Sequence, residues 1–152
     1  MRKFAPWILV TFVVFVFIQS LFFKFSGSEE TVIIFNTIAD WMASMGLPTG
    51  LVEGFRQYGG NAVGLTELIA SVLLLLPRTR VWGAVIGLFT ISGALFFHLF
   101  TPLGVVRIID TAGNTDGGVL FGMACGVWVC CAITIYINRQ SLPGFSNAQR
   151  AL

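Results

Sequence analysis

The chain has 152 residues, of which 56% are hydrophobic, 14% aromatic and only 11% charged, and its mean hydropathy is +0.86. A soluble domain carries roughly 25% charged residues, so this chain lacks the polar groups to cover a water-facing surface, and lipid is its expected solvent. The net charge of +2 is too small and too dispersed for a nucleic-acid footprint. Three cysteines without a CxxC pair make neither a disulfide framework nor a zinc site, and with His98 the only histidine no multi-histidine metal or haem site is expected within one chain.

Four apolar runs approach the length of about 20 residues that a helix needs to cross a ~30 Å hydrocarbon core. They run from Pro6 to Phe23, Gly59 to Leu76, Val81 to Phe100 and Gly118 to Ile137. The chemistry between them agrees. Pro6 suits a helix start. Pro77-Arg78-Thr79-Arg80 is a tight turn, Thr101-Pro102-Leu103-Gly104 follows the third run, and Asp116 is placed to cap the fourth. The stretch from Phe25 to Tyr58 is expected as a long outer loop containing one amphipathic helix, from Glu29 to Met45. Ile34, Phe35, Ile38, Trp41, Met42 and Met45 share one side of that helix, Ser28 caps it, and Gly46-Leu47-Pro48 ends it. A packing lid is the preferred reading of this helix over a partner-binding face. A polar tail begins at Asn138.

Arginine placement sets the orientation. Arg2, Lys3, Arg78, Arg80, Arg139 and Arg150 fall on one side, and Lys24, Arg56 and Arg107 on the other. The positive-inside rule makes the first side cytoplasmic, with both termini there. The first run is expected to be retained rather than cleaved, because it exceeds the usual 7–15 residues of a signal-peptide core and is rich in phenylalanine. The predicted fold is therefore an all-α integral membrane four-helix bundle, a single membrane domain over residues 1–152, with an extra helix in the first outer loop.

Small residues recur on three of the spans: Gly60, Gly64 and Ser71; Gly83, Gly87, Thr90 and Ala94; Gly118, Gly122 and Gly126. Such faces let membrane helices approach closely, and they are candidate surfaces for homo-oligomers. Glu67 and His98 share these faces, so both are expected to point into the bundle. Helical side chains lean towards the N-terminus of their helix. Glu67 on an inward-running span thus leans outwards, whereas Lys24 and His98 on outward-running spans lean inwards. The three aim at one volume in the outer half. Gln19, Ser20, Tyr58 and Asn61 are candidates for its wall. An unpaired charge at mid-bilayer costs about 2.5–3.5 kcal/mol, and a Lys–Glu pair at ~4 Å gains about 4 kcal/mol at an effective dielectric of ~20. Pairing offsets insertion without obvious surplus. The cluster is thus either a network that registers the helices or a ligand and proton site. In the second reading Glu67 accepts or donates a proton, His98 relays one or binds a carbonyl, and Lys24 fixes an anion or polarises an oxygen. Cys125, Cys130 and Cys131 are read as small apolar packing.

Four segments in order resemble the DoxX family in its DoxX-like branch: Phe23-Lys24-Phe25 with Ser26-Gly27-Ser28; Gly64-Leu65-Thr66-Glu67-Leu68-Ile69-Ala70 running to Leu76-Pro77-Arg78-Thr79; Gly93-Ala94-Leu95-Phe96-Phe97-His98-Leu99 before Leu103-Gly104-Val105; and Asp116-Gly117-Gly118-Val119-Leu120-Phe121. The likeness covers Gln19 to Cys130. It implies a four-helix protein of the bacterial inner membrane. It also implies an association with quinone-linked oxidation of sulfur compounds, or with complexes handling thiol and oxidative stress, and Lys24, Glu67 and His98 at the family's polar positions. The longer outer loop departs from shorter relatives. Three readings follow. The first is an accessory subunit of quinone-dependent electron transfer, with quinone as the candidate cofactor. The sequence has no flavin fingerprint, so such a subunit needs a redox partner. The second is transport of a small solute or protons. The third is a non-catalytic assembly or interaction protein.

Overall fold

The computed structural model describes residues 5–141, and their regular secondary structure is helical apart from one isolated bridge between Ile108 and Thr115. Four helices are long and apolar enough to cross a membrane. They are α1 (Ala5–Phe25), α3 (Thr49–Leu75), α4 (Arg80–Phe100) and α5 (Val119–Asn138); α2 (Glu29–Ser44) lies between the first two. Arg139–Ser141 add a 3₁₀ turn. Of the basic residues used to set orientation, Arg2, Lys3 and Arg150 lie outside the described residues, as does most of the polar tail.

The long helices pack in the cyclic order α1–α3–α4–α5, each against two neighbours. Their directions follow from contacts at the two ends. The starts of α1 and α4 meet where Arg80 stacks on Trp7, and the end of α3 joins them through Leu74. At the opposite end His98, late in α4, meets Phe121, early in α5. Neighbours are therefore antiparallel around the ring. The central core is Val10, Val13 and Phe17 of α1, Ala70 and Leu74 of α3, Ala84 and Ile91 of α4, and Ala124, Val127 and Cys131 of α5. Outward faces carry large apolar side chains, among them Phe15, Phe22 and Phe89.

Gly83 governs the close approach of two helices. A Cβ on Gly83 would stand 2.6 Å from the Leu74 amide nitrogen and 2.8 Å from the Ala70 carbonyl oxygen, so α4 rests directly on the backbone of α3. Gly122 meets nothing within 4 Å, so the small-residue face expected on α5 does not mediate helix contact at that position. Gly59, Gly60 and Gly64 instead receive Phe35, Thr31, Phe25 and Leu21 of the same chain.

The first connection differs from the expected loop. α3 begins at Thr49, ten residues before the apolar run starts at Gly59. Residues 49–58 are too polar to register as a span, yet they continue the helix because α2 packs on them. Val52 is buried, Phe35 and Phe55 rings stand 5.4 Å apart, and Arg56 binds Asp40 and Asn36. The apolar side of α2 (Phe35, Ile38, Ala39, Met42) is thus used inside the chain, with Val52 and Leu103. Ser28 caps α2, accepting from the Thr31 amide. It closes with Gly46 at φ +79°, the Leu47 amide bonding the Met42 carbonyl and the Gly46 amide the Ala43 carbonyl, the reciprocal pattern that satisfies orphan carbonyls at a helix end. At α5 the N-cap is Gly118 in the left-handed region rather than Asp116. Asp116, two residues earlier, still accepts from the amides of Gly118 and Leu120.

Candidate functional site: a mixed polar and apolar cavity

The site is built at the His98 end of the ring. Ser20 and Lys24 are four residues apart on α1, hence on one face, and that face meets Glu67 of α3. Lys24 Nζ lies 2.7 Å from both Glu67 carboxylate oxygens and donates to Ser20 Oγ at 2.9 Å. Ser20 Oγ donates to Glu67 Oε2 at 2.6 Å. The Glu67 side chain is 6% exposed and that of Lys24 17%. The ion pair is therefore largely withdrawn from water, and Lys24, on the last turn of α1, also complements its helix dipole. All three ammonium donors are engaged, so a ligand oxygen at this wall must share a Lys24 N–H.

His98 forms a second wall. Its Nδ1 lies 2.6 Å from the Gly104 carbonyl oxygen. A carbonyl only accepts, so Nδ1 carries a proton. Nε2 then bears the lone pair of the neutral ring and becomes a second donor only in the imidazolium. The Phe121 ring, 5.7 Å away at 70°, holds the imidazole edge-on.

A cavity of about 410 Å³ joins these walls. Ser20, Lys24, Glu67 and His98 line it together with apolar residues including Phe17, Phe97, Ala94 and Met123. Of the seven residues that the sequence points to, Lys24, Glu67, His98 and Ser20 meet at this cavity. Gln19, Tyr58 and Asn61 do not line it; all three are exposed. Gln19 is adjacent to Ser20 and so turns away by about 100°. Tyr58 and Asn61 fall on faces of α3 that look outwards.

Arg107 was not singled out, and it also lines the cavity. It sits in the connection from α4 to α5, is 3% exposed, pairs with Glu30 of α2 and has Nε 3.5 Å from Asp116. The Thr111 amide donates to Glu29 at 2.7 Å. This connection and α2 thus cover the His98 end of the cavity, clasped to one another. A signal was present in the sequence: Val105-Val106-Arg107-Ile108-Ile109 sets one cation in an apolar run, with acids nearby to receive it. For Asp116, burial works against ionisation. The amides of Gly118, Arg107 and Leu120 and the charge of Arg107 outweigh it and hold the carboxyl below its ordinary value of 3.8. Among the described residues no group of three His, Cys, Asp or Glu side chains is placed to hold a metal ion.

What the arrangement offers is an apolar chamber with an ion pair on one wall and a single-acceptor imidazole on another. Ligand pockets of ~300–1,000 Å³ with few, convergent polar groups suit small amphipathic molecules. No family model, no curated protein and no solved structure matches this chain.

Proposed function

We propose that the chain is a DoxX-like, four-span protein of the bacterial inner membrane, an accessory subunit of quinone-linked electron transfer whose cavity holds a quinone head. The carrying observation is the joining of Lys24, Glu67 and His98 in one chamber that is otherwise apolar. Membrane embedding is supported by the four long apolar helices and by their exposed phenylalanines. The cytoplasmic assignment of the Arg80 end is supported by Arg78, Arg80 and Arg139 there.

The residues fit such a head group. The chamber volume is in the range of small-molecule sites, and its phenylalanine and methionine lining suits an apolar ring. When bound, a quinone supplies a two-electron, two-proton couple. Lys24 orients a ring oxygen by sharing an N–H with it, and Ser20 keeps the ammonium in place. His98 Nε2 accepts or returns a proton, while the Nδ1–H bond to Gly104 holds its tautomer. Glu67 is the second proton-holding group, and α2 with the 101–118 connection excludes water. A bound quinone would exchange its electrons with a partner redox subunit.

The test is quinone-dependent electron transfer in native membranes. Glu67→Gln and His98→Ala are expected to lower the rate while leaving the protein inserted, and unchanged rates in both would reject the reading. A second reading has its own observation: Lys24, Ser20 and Glu67 satisfy one another fully. In that reading the cluster fixes α1 against α3 in a non-catalytic assembly protein, and disrupting it lowers stability alone.

A further inference from the structure

The end of the bundle opposite the cavity carries an arrangement that the proposed function does not use. Arg80 opens α4 and is only 7% exposed. Its Nε donates at 3.1 Å to the Leu74 carbonyl, one of the last carbonyls of α3, which lack an intrahelical partner. Its guanidinium carbon stands 4.2 Å from the centre of the Trp7 ring. Its Nη2 is buried with no hydrogen-bond partner among the described residues. Arg78 and Arg139 lie exposed at the same end.

No carboxylate side chain is available to balance them. Glu29, Glu30, Asp40, Glu53, Asp110 and Asp116 belong to the half of the molecule that covers the cavity, and Glu67 is already bound to Lys24. Glu67 also lies about 10 Å along α3 from Leu74. A guanidinium withdrawn from water without an anion is costly. A phosphate fits what is missing, since the planar guanidinium fork matches its oxygens with two parallel N–H bonds. Basic pockets at helix ends facing an anionic leaflet bind lipid headgroups in this way.

We propose that the Arg80 end is a binding site for the phosphodiester headgroup of an anionic phospholipid. Arg80 turns its enclosed Nη edge outwards to grip the phosphate, Trp7 covers the face of the guanidinium, and Arg78 and Arg139 flank it as exposed charges. The proposal rests on the membrane reading above, because only an embedded bundle presents this end to headgroups.

The experiment uses the full chain in nanodiscs containing phosphatidylcholine and phosphatidylglycerol in equal parts, with retained lipid counted by native mass spectrometry. Wild type is expected to retain phosphatidylglycerol in preference to phosphatidylcholine. Arg80→Gln is expected to weaken that retention about tenfold, the effect of losing one charge-assisted hydrogen bond. Arg80→Lys keeps the charge without the fork, and is expected to fall between the two, which preserves the test if Arg80→Gln does not fold. Equal retention of both lipids by wild type overturns the proposal, as does full retention by folded Arg80→Gln or Arg80→Lys. Release of the lipid by inorganic phosphate assigns the site to a soluble anion and also overturns it. Failure to enter nanodiscs of pure phosphatidylcholine is a different result, because it rejects the membrane reading itself.

Discussion

Replacing Lys24 by methionine removes the cation from a carboxylate that is 6% exposed and leaves it only the Ser20 hydroxyl. At the observed N–O separation of 2.7 Å and an effective dielectric of ~20, the gross attraction is about 6 kcal/mol. Desolvation of both ions opposes most of it, yet breaking a buried pair from one side costs about 3–5 kcal/mol, because the remaining charge stays buried. Glu67→Gln is expected to cost less, about 1–2 kcal/mol, since Lys24 keeps Ser20 and has partial access to solvent. The double variant Lys24→Met/Glu67→Gln removes both charges and is expected to be more stable than Lys24→Met alone. Denaturant unfolding in detergent micelles, followed by far-UV circular dichroism, gives all four corners of the cycle. A cost below about 1 kcal/mol for Lys24→Met, the value of an exposed pair, would refute the argument that this pair is buried and closed on itself.

Other expectations follow from the same contacts. Gly83→Ala forces a Cβ against α3 backbone at 2.6 Å and is expected to cost about 1–3 kcal/mol, whereas Gly122→Ala has free space and is expected to be neutral or to gain up to ~1 kcal/mol; the same micelle unfolding separates them. Arg107→Gln cuts the link from the 101–118 connection to Glu30 and Asp116, so amide exchange at Thr111 and at position 107 is expected to accelerate while that of α4 is unchanged. The folded-state pKa of Asp116 is depressed below 3.8, so its contribution is present above that value and is lost as pH falls through the folded pKa. Acid titration followed by exchange at the Gly118 and Leu120 amides is expected to show that loss, and Asp116→Asn to remove it.

Much of this architecture is legible in composition and punctuation. Each long helix corresponds to an apolar run bounded by Pro, Gly or a charged turn, since the length of apolar chain is itself the physical requirement for a span. The meeting of Lys24, Glu67 and His98 was legible from helix direction and side-chain lean. What was not legible depends on contacts between elements distant in sequence. The first ten residues of α3 are polar, and they extend the helix because Phe35 and Asp40 of α2 receive Phe55 and Arg56. Arg107 reads as a loop cation until α2 brings Glu30 to it. Gln19, Tyr58 and Asn61 were near the site in sequence but turn away from it, and for Gln19 the reason is that rotation about a helix is poorly fixed by a nearly all-apolar run such as α1. The glycines illustrate the same limit: Gly83 and Gly122 look alike in sequence, and only the neighbouring backbone distinguishes them.

The central claim is that the chamber between Lys24, Glu67 and His98 holds a quinone head. The most direct measurement is mass spectrometry of the organic extract from natively purified protein, comparing wild type with Ala94→Phe, which places a ring in the chamber. The account predicts stoichiometric quinone in wild type and its loss in folded Ala94→Phe. Quinone absent from wild type, or retained equally by both, would contradict it.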